Sequence, residues 1–113
     1  MNIDKPWGWE QVIWIGPHYA VKKLFMRKGC RCSLQYHEKK TETIFVLSGE
    51  LQIYYEDKER GKTSEKVYLA GEFVTIPPRV IHRMTGISDA EYLEASTPEL
   101  DDVVRLSDDY QRH

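Results

Sequence analysis

Four residues in this chain have the types and spacing to hold a metal ion. Gln35 and His37 are two apart in a run of strand-forming residues, Arg31–His37, and alternate positions of a strand share a face. Glu42 opens the next such run after a short connection, and His82 lies forty residues further on. Two imidazoles, a carboxylate and an amide oxygen suit zinc, iron, manganese, cobalt or nickel. Taken singly, a histidine on a strand is more often a satisfied structural residue. With an open coordination position, a bound divalent ion would polarise a carbonyl or hydroxyl oxygen. The same His37, Glu42 and His82 could also form the two-histidine, one-carboxylate face of an iron-dependent oxygenase.

The elements that must position these residues read as short strands broken by turns. Glu10–Ile15 is rich in Val, Ile and Trp and is stopped by Gly16-Pro17. Tyr19–Arg27, Arg31–His37, Thr43–Leu47, Leu51–Tyr55, Val67–Leu69, Phe73–Ile76, Val80–Met84 and Ala90–Ser96 follow. A charged loop, 56–62, forms a hairpin tip. Strands at this spacing predict an all-β barrel or sandwich. Ser96-Thr97-Pro98-Glu99 has the form of a capping box, predicting a short helical turn within Glu99–Leu106. With 113 residues and no linker, repeat or low-complexity stretch, the whole chain, 1–113, is read as one domain.

Composition narrows the function classes. Sixteen Lys and Arg against eighteen Asp and Glu give a net charge of −2, which argues against a nucleic-acid partner. No apolar run reaches a membrane span, and the start, Met1-Asn2-Ile3-Asp4-Lys5-Pro6, is unlike a signal peptide, so the expected location is the cytoplasm. Cys30 and Cys32, same-face neighbours if they share one strand, stand too far apart for a relaxed disulfide and are read as reduced, small apolar core residues. Trp7, Trp9 and Trp14 could stack on a sugar or line a dimer seam, with barrel packing expected for at least two of them. His18, after Gly16-Pro17, is expected to be exposed, and terminal His113 carries no inference.

The punctuation around the four residues carries a resemblance. Gly29 is followed by five residues, Gln35, one residue, His37, four residues, Glu42, six residues and Gly49. Later, Gly71 is followed by five residues, Pro77, one residue, Arg79, two residues, His82, three residues and Gly86. This resembles the two motifs of the cupin superfamily, with Gln35 in place of the usual first histidine, and Arg79 and Gly86 in place of glycine and asparagine. The resemblance implies an antiparallel β-barrel of jelly-roll type, with a metal inside it on Gln35, His37, Glu42 and His82. The Gln35-Tyr36-His37 order is similar to the Gln-x-His arrangement of zinc-dependent mannose-6-phosphate isomerases.

Lys5-Pro6-Trp7-Gly8, Tyr19–Leu24, Ser33–His37, Ile76-Pro77 with His82-Arg83, and the ending Asp101–Arg112 resemble one family almost end to end. That family is the mannose-6-phosphate isomerase domain of bifunctional mannose-1-phosphate guanylyltransferases. Here Glu38, Lys39 and Thr43 stand where it commonly has histidines, and Gln111 where it has glycine. The resemblance implies a stand-alone isomerase-like domain without nucleotidyl transfer, holding one divalent metal, with zinc first and manganese, cobalt, nickel or iron as alternatives. Its substrate would be a sugar phosphate, with mannose 6-phosphate and fructose 6-phosphate the leading pair.

Isomerisation through an enediol needs a proton carrier tuned toward neutrality, for which Glu94 and Lys39 are the candidates. A carboxylate pointing into a barrel would be desolvated and its pKa raised. Arg79, Lys22 and Arg105 are the candidates for the phosphate, with Arg79 first because it stands beside the metal motif. Arg83, next to His82, should face away from it. Besides the isomerase and the oxygenase, a non-catalytic domain binding a sugar, sugar phosphate or sugar nucleotide is a third reading. A homodimer is expected by family analogy, and would help a chain of this length bury apolar surface.

Overall fold

A computed structural model describes residues 2–99 and 101–111; Met1, Leu100, Arg112 and His113 lie outside the described residues. The described residues form eleven strands: β1 (Asn2–Lys5), β2 (Gly8–Ile15), β3 (Ala20–Met26), β4 (Leu34–Tyr36), β5 (Glu42–Ser48), β6 (Leu51–Asp57), β7 (Lys62–Tyr68), β8 (Phe73–Ile76), β9 (Ile81–Gly86), β10 (Ala90–Ser96) and β11 (Val104–Ser107). They form two antiparallel sheets, β1-β2-β3-β10-β5-β8 and β11-β4-β9-β6-β7. The fold is the all-β jelly-roll arrangement anticipated above. Among the described residues there is no helix, and so none long and apolar enough to cross a membrane.

Alternation decides what each strand buries. Along β10, Ala90, Tyr92, Glu94 and Ser96 are buried, while Ala95 is exposed. Along β5, Glu42, Ile44 and Val46 point inward and Phe45 and Leu47 outward. Leu24, Met26, Ile44, Val46, Ile76 and Tyr92 of one sheet meet Leu51, Ile53, Tyr68 and Met84 of the other in a single apolar core. That core fills one end of the sandwich. At the other end, the inward positions of the same strands carry charged and polar side chains, and there the site lies. The connection from β5 to β6, which crosses between the sheets, turns at Gly49, where φ is +79° and a Cβ would fall 2.0 Å from the Asp89 carbonyl, so only glycine fits.

Two strands were not anticipated, and one of them replaces the expected helical turn. Asp101 lies in a turn, and Val104–Ser107 pairs with β4, Val104 against Tyr36 and Arg105 against Gln35. Valine, arginine and leucine here satisfy the open edge of β4, and that tertiary pairing overrides the local helix-start signal. Asn2–Lys5 likewise adds to the edge of β2. The charged hairpin is shorter than expected: strands run to Asp57 and from Lys62, and the Asp57 carboxylate accepts the Arg60 amide at 3.1 Å to close the turn. Trp7 is buried in the core, Trp9 stacks on Phe25 outside it at 5.7 Å between ring centres, and Trp14 is half exposed. Both cysteines are free thiols, and His18 is exposed.

Candidate metal centre

His37, Glu42 and His82 converge in the buried interior. His37 follows the last residue of β4, Glu42 starts β5 on the facing sheet, and His82 lies in β9, its Cα paired with that of Gln35. The Glu42 Oε1 oxygen lies 2.9 Å from His82 Nε2 and 3.4 Å from His37 Nε2. Each imidazole is oriented from behind. His82 Nδ1 donates to the Val80 carbonyl at 2.9 Å, and His37 Nδ1 donates to the Asp102 carbonyl. A carbonyl can only accept, so both Nδ1 atoms carry hydrogen and both Nε2 lone pairs are free to face Glu42.

These atoms need a cation between them. His37 Nε2, His82 Nε2 and both Glu42 oxygens are buried without a hydrogen-bond partner. Three lone-pair donors facing one another in a dry interior repel unless something positive joins them. Ligands held about 2.1 Å from one ion stand about 3.0–3.4 Å apart at right-angled to tetrahedral openings. The observed separations fit that range, so the donor set suits a divalent metal in both chemistry and spacing. The backbone carbonyls behind the imidazoles are the outer-shell partners such a site requires.

Gln35 borders the same cavity, and its Oε1 accepts the Ser33 hydroxyl at 2.7 Å, which turns the amide toward the interior. Glu94, two residues along β10 from Tyr92, is buried and lines the cavity as well. Burial first, and Glu42 second, push its pKa up to about 8.

The lysine that reaches the site is not Lys39, which is exposed, but Lys40, which is buried. Lys40 Nζ lies 3.4 Å from Glu42 Oε2 and 3.5 Å from Glu94 Oε2. Burial works against its charge, but Glu94 and Glu42 outweigh burial and raise its pKa. No periodicity marks a loop lysine as inward, so only the folded loop distinguishes position 40 from 39.

The cavity has a volume of about 130 Å³, and its walls include Trp7, Cys32, Ser33, Tyr92 and Val103. A wider groove outside it shares Lys5, Glu10, Lys22, Val103 and Arg105. Lys22 and Arg105 therefore stand where the cavity meets the groove. Lys22 Nζ pairs with the buried Glu10 at 2.8 Å, and Lys5 reaches the same carboxylate at 3.7 Å. Arg105 Nε is buried with no hydrogen-bond partner. Arg79 is elsewhere: its exposed guanidinium pairs with Glu59 at 3.0 Å, away from the cavity. Its backbone sits at φ +65°, where the cupin motif has glycine, and its amide donates to the His37 carbonyl at 2.7 Å. Arg83 faces outward and donates to the Cys32 carbonyl at 2.9 Å, a structural tie.

Comparison with known proteins decides the family. The cupin domain family matches residues 24–95, which include every member of the metal cluster. The chain belongs to the cupin family. Among characterised cupin-containing relatives it is 30% identical to alginate biosynthesis protein AlgA of Pseudomonas aeruginosa, over 98% of this chain and 23% of that protein. It is 32% identical to xanthan biosynthesis protein XanB of Xanthomonas campestris, over 98% of this chain and 24% of that protein. It is also 30% identical to mannose-1-phosphate guanylyltransferase 2 of Escherichia coli O157:H7, over 97% of this chain and 23% of that protein. The chain thus spans about a quarter of the length of these relatives. Among solved cupin structures, KdgF from a Halomonas species superposes with a TM-score of 0.78 at 16% identity, covering 89% of this chain and 88% of that one. Oxalate decarboxylase from Bacillus subtilis superposes at 0.83 and 16% identity, over 94% of this chain and 30% of that one, a likeness of fold alone.

Proposed function

We propose that this cupin domain is a metal-dependent sugar-phosphate isomerase, with mannose 6-phosphate and fructose 6-phosphate as the leading pair. The observation that carries the reading is a ligand set lacking only its cation, tied through the Lys40–Glu42 contact to the buried Lys40–Glu94 pair, which lines a cavity together with His37 and Gln35. Of the relatives named above, one is by name a mannose-1-phosphate guanylyltransferase and the others are alginate and xanthan biosynthesis proteins, which supports the sugar-phosphate class.

His37, Glu42 and His82 would hold the metal, with the Gln35 amide oxygen as the fourth ligand from the protein. Zinc is the first choice for such a nitrogen and oxygen set, and when bound it supplies Lewis-acid polarisation of the sugar's carbonyl and hydroxyl oxygens. Glu94 would carry the carbon-bound proton, taking it from C2 of the aldose as the enediol forms and returning it to C1 as the ketose forms, while the hydroxyl proton of O2 passes to O1 over the same two steps. A carboxyl tuned toward neutrality can work in both directions. Lys40 keeps a positive charge beside Glu94 and steadies the negative charge that develops on the substrate oxygens.

At about 130 Å³ the cavity is small, and the reacting end of an open-chain sugar would enter it first. The phosphate would lie at the mouth, where Lys22, Arg105 and Lys5 gather. The test is an NMR assay in deuterated water, with the protein supplied in turn with zinc, manganese, cobalt, nickel and ferrous iron and offered a panel of aldose and ketose phosphates. Turnover of mannose 6-phosphate, or deuterium at C1 or C2, is the expected result. Silence from a folded, metal-loaded sample would sink the isomerase and leave a non-catalytic binding domain. Oxygen consumption with iron would favour an oxygenase.

A further inference from the structure

Among the described residues Tyr92 is the largest fully buried side chain, and its hydroxyl has no hydrogen-bond partner among them. It sits at the centre of the six-stranded sheet, opposite Leu24 on β3 and Val46 on β5, and it lines the cavity two residues before Glu94. A phenylalanine would fill the same space without burying an unsatisfied hydroxyl, so the empty protein gains nothing from the oxygen. The other polar groups of the cavity are accounted for. Ser33 donates to Gln35, Lys40 is shared by Glu42 and Glu94, and Lys22 is taken by Glu10. Apart from the candidate metal-ligating atoms, two donors of the cavity wall are left without a partner among the described residues: the Tyr92 hydroxyl inside and Arg105 Nε toward the mouth. What complements them is a ligand rich in acceptor oxygens.

We propose that Tyr92 contacts the substrate directly, its hydroxyl donating to an oxygen of a small polyhydroxy anion that occupies the cavity. The inference rests on the isomerase reading for the identity of that ligand. Burial holds the phenol well above its ordinary pKa, so the hydroxyl remains a donor through the physiological range.

The test is Tyr92→Phe, compared with wild type as purified and after zinc loading. Two quantities are read: the melting temperature without ligand, and the affinity for mannose 6-phosphate by calorimetry. The expected result is an unchanged or higher melting temperature together with a fall in affinity of about five- to tenfold, the worth of one neutral hydrogen bond. A variant that melts several degrees lower, or does not fold, shows that the hydroxyl is already satisfied inside the protein and overturns the proposal. Equal affinity in the two proteins overturns it too. If wild type takes up no mannose 6-phosphate, the isomerase reading fails by itself, and Tyr92 is then judged with acetohydroxamate, a small chelator with two adjacent oxygens. Weaker acetohydroxamate binding by Tyr92→Phe supports the contact. Equal binding, or none by wild type, overturns it.

Discussion

Asp102 grips the loop beside the metal centre at two points. Its backbone carbonyl accepts the His37 Nδ1 proton, while its carboxylate accepts the amides of Glu38 at 3.0 Å, Lys39 at 2.7 Å and Lys40 at 3.0 Å. One residue from the segment leading into β11 thus orients a metal ligand and fixes which of two adjacent lysines turns inward. Asp102→Ala should weaken zinc binding by about tenfold, the lower end of outer-shell effects, with Asp102→Asn intermediate. Competition with a chromogenic chelator measures this, and unchanged affinity in both variants would remove Asp102 from the site.

The same contacts make Asp102 a source of acid sensitivity. The Lys39 amide first, and those of Glu38 and Lys40 after it, hold the carboxyl below its ordinary range. A carboxyl depressed by folding stabilises the protein above its unfolded pKa, and that stability is lost as the pH falls through the folded value. Denaturant melts from pH 6 down to pH 2 should therefore show a shallower acid decline in Asp102→Ala than in wild type.

Glu94 should act with the opposite sign. Its pKa is raised by burial and by Glu42 from 4.5 to about 8, so the folded state holds the proton more tightly than the unfolded chain. Stability from this group is full below pH 4.5 and falls as the pH rises toward 8. Glu94→Gln should flatten that decline in metal-free protein. In the loaded enzyme it should retain metal yet lose about 10²–10⁴-fold in turnover, the usual worth of a proton carrier. Retained turnover would move the proton-carrying role elsewhere.

Metal retention should depend on both imidazoles. His37→Ala and His82→Ala, dialysed and analysed by atomic emission, should fall from one metal per chain to near none, and activity should fall with it. Full metal content in both variants would dissolve the assigned centre.

Arg79 offers a control outside the cavity. Its left-handed backbone costs an ordinary residue about 1 kcal/mol, and its exposed pair with Glu59 is worth less. Arg79→Gly should be as stable as wild type or more so, with unchanged sugar-phosphate affinity. A large loss of affinity would restore Arg79 to the substrate site.

The outer face of the six-stranded sheet carries Trp9, Phe25, Leu93, Phe45 and Phe73 on neighbouring strands, with Phe73 64% exposed. An outward face of an antiparallel sheet is ordinarily polar. A homodimer through this face should give a light-scattering mass twice the 13.3 kDa of one chain. The double variant Phe45→Glu, Phe73→Glu should be monomeric with full metal content.

Strand-forming runs between turn signals identified nine of the eleven strands, because alternation and β-branched content act locally. The spacing of His37, Glu42 and His82 made the candidate cluster legible for a similar reason: His37 lies beside one short strand, and the turns around the three set the rest. Glu94 was legible as a carboxylate at an inward position of an apolar strand. Strands β1 and β11 were not, because they exist by pairing with edges that form only when the sheets do. Lys40 and Asp102 were invisible for the same reason, since a loop has no period and sequence cannot tell which of two lysines turns inward. The unsatisfied hydroxyl of Tyr92 belongs to the tertiary structure alone: a tyrosine in a strand looks like core, and only the surrounding side chains show that its oxygen has been left for something else to meet.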